Sequence, residues 1–368
     1  MPSAFLRFLF FIIIGLATNA YSSTFTLSQS PDIQSLSAVD QKALCLVAKS
    51  VLGYQSVVDG DNAWQEKPIL PAEVSTAKVK ETLAYLCQLV QEGKGNKLLE
   101  RMFLLEHFSF YQWQPDNQTA LKIASNSTNK RKSEMLRAIP SDKIFLTKYY
   151  TKRLKASVVK TPDYPVALYQ LPFDEIGLSP EQAAAKQGLL TRFKYTRQQI
   201  INGALEKDGL AKPLIWLSEA GLHDVLLQGT GVLEVGGKLR FFNVHRNNGI
   251  AYDYTLGKTE QARYWYFAEV NGIKGYGKTI ENKIDLKPRV AFAGNVRQLG
   301  IGKLFLITFN EHKIKQSHLG ILADEGGAFD NNLFQLDWLV ESYFGWHDYH
   351  QANKHYPDYA NVYLMIKK

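Results

Sequence analysis

Two glycine-punctuated stretches decide how this chain is read: Leu227-Gln228-Gly229-Thr230-Gly231, and Ala323-Asp324-Glu325-Gly326-Gly327-Ala328-Phe329. In the first, Gly229 and Gly231 flank Thr230 where a strand must bend or let a ligand approach the backbone closely. In the second, Gly326 and Gly327 directly follow an apolar run and permit a turn with positive φ. A plain tight turn accounts for either pair equally well on these residues alone.

Working outward, the C-terminal two thirds is strand-rich. Residues 225–228, 231–235 and 239–244 read as strands, the last two joined at Gly236-Gly237 as a hairpin. Residues 303–309 and 319–323 form a second hairpin pattern, and 362–366 a closing strand. Residues 145–150 are aromatic and β-prone, and a strand over 166–171 follows a turn bracketed by Pro162 and Pro165. A helix is expected over 196–206, whereas the basic stretch 289–303 carries no clear signal. Before Phe108 the pattern is helical. Ser37 and Asp40 make a capping pattern ahead of Leu44, Val47, Val51 and Leu52. A second helix spans 75–92, with Val79, Leu83, Leu86 and Val90 as its apolar stripe and Gly93 as its stop, and a third covers 96–107. Residues 21–36 look like an exposed leader, and Lys130-Arg131-Lys132 like a solvated loop.

The first twenty residues read as an export signal. Arg7 precedes an apolar run over 8–17, and Thr18-Asn19-Ala20 offers a small-residue cleavage site. That run is well short of the ~20 apolar residues needed to span a bilayer. With no Cys at the cleavage site for a lipid anchor, the mature chain is expected to be soluble, without a transmembrane anchor, in the periplasm of a Gram-negative envelope or secreted. A net charge of +8 favours polyanions. Outside the cytoplasm that means a wall polymer bearing carboxylates rather than nucleic acid. The 12% aromatic content suits stacking on sugar rings, although β-rich chains are rich in Tyr and Phe anyway. Hydrophobic residues at 45% against 21% charged exclude global disorder. The two cysteines, Cys45 and Cys87, invite a disulfide in an oxidising compartment, with two buried thiols as the alternative. No metal-ligand spacing, phosphate-binding loop or nucleophile elbow is present.

Three segments, in order, carry a resemblance. Leu146-Thr147-Lys148-Tyr149-Tyr150, with Tyr164-Pro165 and Tyr169 after it, is similar to an F-T-G-Y-Y stretch followed by Y-P-I-Y. Leu227 to Gly231, with Asn247-Asn248-Gly249 and Tyr252 downstream, is similar to V-Q-G-S-G and K-N-G-H-x-Y-R-S. Ala323 to Phe329 is similar to D-x-G-G-A-I. Together they resemble the membrane-bound lytic transglycosylase A (MltA) family with its C-terminal three-aspartate module, and this chain looks like a divergent member. The resemblance implies a mainly β fold with N-terminal helices: a double-psi β-barrel carrying an inserted second, mostly β domain. Its division would be a signal at 1–20, a helical region packed on the barrel at 21–95, the barrel at 96–151 and 295–368, and the insert at 152–294.

The resemblance further implies that peptidoglycan glycan strands lie in a groove between barrel and insert, with no metal or organic cofactor. The bond between N-acetylmuramic acid and N-acetylglucosamine would be cut without water, by the muramic 6-hydroxyl. A single carboxyl, first acid and then base, would suffice. Sugar sites would be lined by Tyr149, Tyr150, Gln228, Gly229, Thr230, Gly231, Gly326, Gly327 and position 335. The family's acid lies eleven residues after the first Asp of D-x-G-G-A, which here is Gln335, and an amide cannot donate that proton. Asp337 lies two residues on, on the same face of a strand, and serves if a small bulge shifts the register; Asp324 is the other candidate. Lys148, Ile250, Asp253 and Tyr254 also depart from the family pattern. A non-catalytic wall-binding or scaffold protein, with other cell-wall enzymes as partners, is therefore the alternative to an enzyme. Either way, residues 228–231 and 324–328 are expected to meet across one groove.

Overall fold

A computed structural model describes residues 25–36, 39–57, 61–311, 314–327 and 329–368. The export signal, Ser37 and Ala328 lie outside the described residues. In chain order the strands are β1 (Phe25–Leu27), β2 (Phe108–Trp113), β3 (Ile144–Lys155), β4 (Val166–Tyr169), β5 (Pro213–Leu217), β6 (Thr230–Val235), β7 (Lys238–Asn247), β8 (Trp265–Val270), β9 (Ala291–Ala293), β10 (Leu304–Glu311), β11 (Ile314–Asp324), β12 (Gln335–Tyr343) and β13 (Tyr359–Lys367). The helices are α1 (Gln41–Val57), α2 (Thr76–Gln91), α3 (Arg101–His107), α4 (Asn117–Asn126), α5 (Lys130–Arg137), α6 (Pro180–Ala185), α7 (Arg197–Ile201), α8 (Ala204–Lys207), α9 (Glu219–Gln228), α10 (Val296–Leu299) and α11 (Trp346–Asn353).

Six strands close on themselves in the order β3, β13, β10, β11, β9, β12 and back to β3. Closure rests on a short antiparallel contact, Tyr359 with Phe145 and Ala360 with Ile144. The β12–β3 and β11–β9 pairs are parallel, and the other barrel pairs antiparallel. A closed sheet leaves no hydrogen-bonding edge at those strands, and its inner face must be filled by apolar side chains. Phe292, Phe305, Leu322, Leu336, Trp338 and Leu364 fill it and are essentially inaccessible. The Trp338 indole donates to the Arg289 carbonyl at 3.0 Å, so its one polar atom is satisfied.

β3 is longer than the barrel needs. Its last three residues, Arg153 to Lys155, leave the barrel and pair in parallel with β6. β6, β7 and β8 follow as an antiparallel meander. Its first turn is Gly236-Gly237, both at positive φ as a two-residue hairpin demands. This sheet, α9 and the β4–β5 ribbon enclose a second core around Leu168, Ile215, Phe242, Tyr266 and Phe267. On the barrel's far side, α1 packs on β11 and α2 on β13. Ser75 caps α2 by accepting from the Lys78 amide, and Gly93 at φ +72° follows its end. A disulfide joins Cys45 on α1 to Cys87 on α2.

Several local expectations are corrected. Residues 225–228 are the end of α9, not a strand. Ser218 caps that helix, and Leu222, Val225 and Leu226 share its buried face, a helical spacing visible only when the segment is read from Ser218. Residues 21–36 are not a free leader where described: β1 pairs with β2, and Phe25, Ile33 and Leu36 are buried. Lys130-Arg131-Lys132 opens α5, capped by Asn129, with the charges outward and Leu136 inward. The 196–206 helix is two short ones, α7 and α8, separated by Gly203 at φ +91°. Within 289–303, β9 and α10 form. Three buried residues, Ala291, Phe292 and Ala293, are too few to show a period.

The loop closed by the disulfide, with a sequence separation of 42, is worth about 4 kcal/mol in the chain-entropy account. Replacing both cysteines by serine should lower the midpoint of a urea or guanidinium transition by that free energy without changing the far-ultraviolet circular dichroism. An unchanged midpoint would show that the bridge contributes nothing.

Candidate functional site

Where β3 passes from barrel to insert, a groove of about 560 Å³ opens. Tyr149 and Tyr150 of β3 line it, as do Gln228, Gly229 and Thr230 from the α9–β6 junction, and Asp324 and Glu325 at the end of β11. The two glycine-punctuated segments are thus brought together, from positions remote in sequence.

Each side chain is held by local chemistry. Gly229 takes φ +73° as the residue that ends α9, a conformation a side chain would strain. Its turn lets the Gln228 carboxamide accept from the Lys152 amide at 2.9 Å, tying α9 to β3. Thr230 is buried and accepts from Asn243 at 2.9 Å, and Asn243 in turn accepts from Lys283 at 2.8 Å. Asp324 accepts from the Tyr149 hydroxyl at 3.0 Å and from the Glu325 amide at 2.9 Å.

A segment from Ile273 to Leu286, absent from the sequence reading, supplies a further wall. It folds back on itself through Gly275–Ile284, Ile284–Tyr276 and Leu286–Ile273 backbone bonds, and the Tyr276 amide donates to the Ala323 carbonyl at 3.1 Å. A Cβ at Gly275 would lie 2.7 Å from that same carbonyl, so glycine is required for the approach. The Tyr276 hydroxyl donates to buried Asp61, which also accepts from Tyr54. Lys274, Lys278 and Lys283 give the groove a basic side facing Asp324 and Glu325. The alternation of Gly275 and Gly277 with Lys and Tyr was the available signal.

Two carboxyls here titrate abnormally. Burial raises Asp324 to about 6, against the lowering influence of its two hydrogen bonds and of Lys283. Burial likewise raises Asp337 to about 7, with the Asp324 charge adding to the rise and Thr147 and Lys148 opposing it. The two aspartates stand at one level of the barrel: Ala293 of β9 pairs with Asp324 on one side and with Asp337 on the other. Tyr149 feels both charges and is pushed far above the ordinary phenol range, chiefly by burial. One Asp337 oxygen is inaccessible and without a hydrogen-bond partner. Such an orphaned acceptor favours the protonated form, since a neutral carboxyl costs far less to bury than a carboxylate.

The remaining sequence-derived residues lie elsewhere. Asp337 and Gln335 point to one side of β12 but neither lines the groove. Gln335 donates to Thr147 at 2.8 Å and accepts from Asn332 at 2.9 Å, so both ends of its amide are engaged. Gly231 does not line the groove, and a Cβ there would lie 3.3 Å from Val225. Gly326 and Gly327 are exposed beyond Asp324, and neither adopts the positive φ that their position permitted.

A closed six-stranded barrel with a second β unit grown out of one of its strands, and a groove at the junction, defines a double-psi barrel protein carrying an insert domain. Residues 145–259 match the family model described as the MltA specific insert domain. Over those residues the chain is similar to that family. A membrane-bound lytic murein transglycosylase from Agrobacterium tumefaciens is similar in structure, with a TM-score of 0.58 at 16% identity, covering 93% of this chain and 98% of that one. MltA from Neisseria gonorrhoeae gives 0.54 at 14% identity, covering 93% and 91%. Escherichia coli MltA with bound chitohexaose gives 0.53 at 15%, covering 94% and 95%. At such identities these likenesses carry the fold alone. No curated protein sequence matches the chain. Among the described residues no helix is long and apolar enough to cross a membrane.

The Asp337 shift has a measurable consequence. A carboxyl whose folded pKa exceeds its unfolded one favours the fold when protonated; that contribution is present below the unfolded value of 3.8 and is lost as pH rises through about 7. Asp337→Asn, which stays neutral, should therefore raise the melting temperature at pH 8 by roughly 2–5 °C and leave it nearly unchanged at pH 4. Equal shifts at both pH values would mean the carboxyl is not buried as described.

Proposed function

We propose that this chain binds peptidoglycan glycan strands in the groove between barrel and insert, and cleaves them as a lytic transglycosylase. One observation carries the reading: a carboxyl held near neutral pKa, Asp324, is hydrogen-bonded to Tyr149 in a groove also lined by Gln228 and Thr230. A general acid works best when its pKa lies near the working pH. Asp324 protonates the glycosidic oxygen between muramic acid and glucosamine, and the bond to the anomeric carbon breaks. The muramic 6-hydroxyl then attacks that carbon and returns its proton to Asp324, closing a 1,6-anhydro ring. No water is consumed, and the carboxyl ends as it began. Tyr149 keeps the Asp324 carboxyl in place, and Asp337, one strand beyond Ala293, is itself held toward its protonated form by burial and the Asp324 charge. Export by residues 1–20 would deliver the chain to the wall, and the division into a barrel with an insert at 152–294 is part of the same reading, save that Ala291 to Ala293 return to the barrel as β9.

A second reading rests on Gln335. At the position where the family resemblance expects the acid, an amide is fully engaged with Thr147 and Asn332, which fits a protein that holds glycan, or recruits other cell-wall enzymes to it, without cutting.

Digestion of purified sacculi followed by mass spectrometry separates the two. The enzyme yields 1,6-anhydromuropeptides, and Asp324→Asn reduces their rate by at least ~10²-fold while leaving sedimentation with sacculi intact. Sedimentation of the native chain without any anhydro product identifies the binding protein. Anhydro product undiminished in Asp324→Asn but abolished in Asp337→Asn would move the acid to Asp337.

A further inference from the structure

The groove does not end at Tyr150. That ring lines the groove and stacks on Tyr349 at 4.6 Å with an interplanar angle of 20°. Tyr349 of α11 lies 5.3 Å from Trp346, and Trp346 stacks on His350 at 5.6 Å and 19°. Tyr343 closes edge-on against both Tyr150 and Tyr349. The result is an unbroken run of rings from the groove outward along the start of α11. Its inner part is fixed: Tyr349 is buried, and its hydroxyl donates to the Lys148 carbonyl at 2.8 Å. Its outer part is open. Trp346 is 63% exposed and Phe344 44%, and the Arg153 guanidinium covers the Phe344 ring at 4.8 Å.

Single exposed aromatics are ordinary, but Trp346 belongs to a contiguous run of rings, and contiguous exposed apolar patches mark binding surfaces. The covering partner is indicated by continuity and by charge. The run begins in the groove, so whatever occupies the groove and extends past Tyr150 meets Tyr349 and Trp346 next. Flat rings with polar edges, flanked by Arg153, His347 and His350, match the apolar faces and hydroxyl rims of pyranose rings better than the flank of an apolar helix. We propose that Trp346, supported by Tyr349, forms an outer saccharide platform that binds further rings of the same glycan chain leaving the groove at Tyr150. This inference rests on the groove being a glycan site.

The test uses β-1,4-linked N-acetylglucosamine oligomers titrated calorimetrically into the full chain. The native chain should bind the hexamer, and Trp346→Ala should weaken that binding about tenfold, a loss of the size that one stacked ring contributes. Dimer affinity should stay unchanged, because a dimer is held in the groove. Trp346→Phe should restore most of the hexamer affinity, and the side chain is exposed enough that neither variant should alter the melting temperature. Hexamer binding that is equal in native chain and Trp346→Ala overturns the platform while leaving the groove reading intact. Equal loss for dimer and hexamer also overturns it, since the tryptophan would then act inside the groove. No binding of either oligomer by the native chain overturns the groove reading, and the platform with it.

Discussion

The structure depends on one strand serving two sheets. β3 closes the barrel at its start, through Phe145 and Ile144, and founds the insert sheet at its end, through Arg153 to Lys155. The residues between, Lys148 to Thr151, still pair with β12, and Tyr149 and Tyr150 pack on the barrel core while remaining only half-buried. A bulge in the β12–β3 register between Leu339 and Glu341 falls at this passage, opposite Tyr149 and Tyr150, where a bulge bends the strand and increases its twist. The groove is the space left by that divergence, and Tyr149 and Tyr150 look into it for the same reason.

Around this junction the chain accumulates polar groups that a core would reject. Asp324 and Asp337 flank the same residue of β9, and Lys283 reaches in through Asn243. Among the described residues neither aspartate forms an ion pair; their hydrogen-bond partners are hydroxyls and amides. Burial without full compensation lifts both carboxyls toward neutrality. Elsewhere the fold behaves differently: Glu175, completely buried in the insert, is bridged by both Arg192 and Arg246. The contrast separates a buried carboxyl bridged by two guanidiniums from two whose burial leaves them protonatable.

The walls are rigid for separable reasons. Asp61 anchors Tyr276 from the N-terminal region, and the Cys45–Cys87 bridge ties together the helices that back β11 and β13. A site that takes a flexible ligand loses less on binding when its surfaces are already in place.

Much of this was legible in the chain. The barrel hairpin over β10 and β11, the Gly236-Gly237 turn, the stripe and cap of α2 and the closing strand all follow from local periodicity and turn chemistry, which are properties of neighbouring residues. So does the pairing of two remote glycine motifs, through family resemblance. What the chain could not disclose were relations between residues far apart: that residues 225–228 end a helix capped at Ser218, that Ile33 and Leu36 are buried against the barrel, and that Gly275 must be bare because Ala323 passes within contact. The sequence by itself determined which segments are apolar on which face, and hence a β-rich core with helices beside it. Only the tertiary structure decided that Asp324 faces the groove while Asp337 stands behind it. Which way a side chain opens depends on how β9 is inserted between β11 and β12, and a three-residue strand carries too little pattern to announce that.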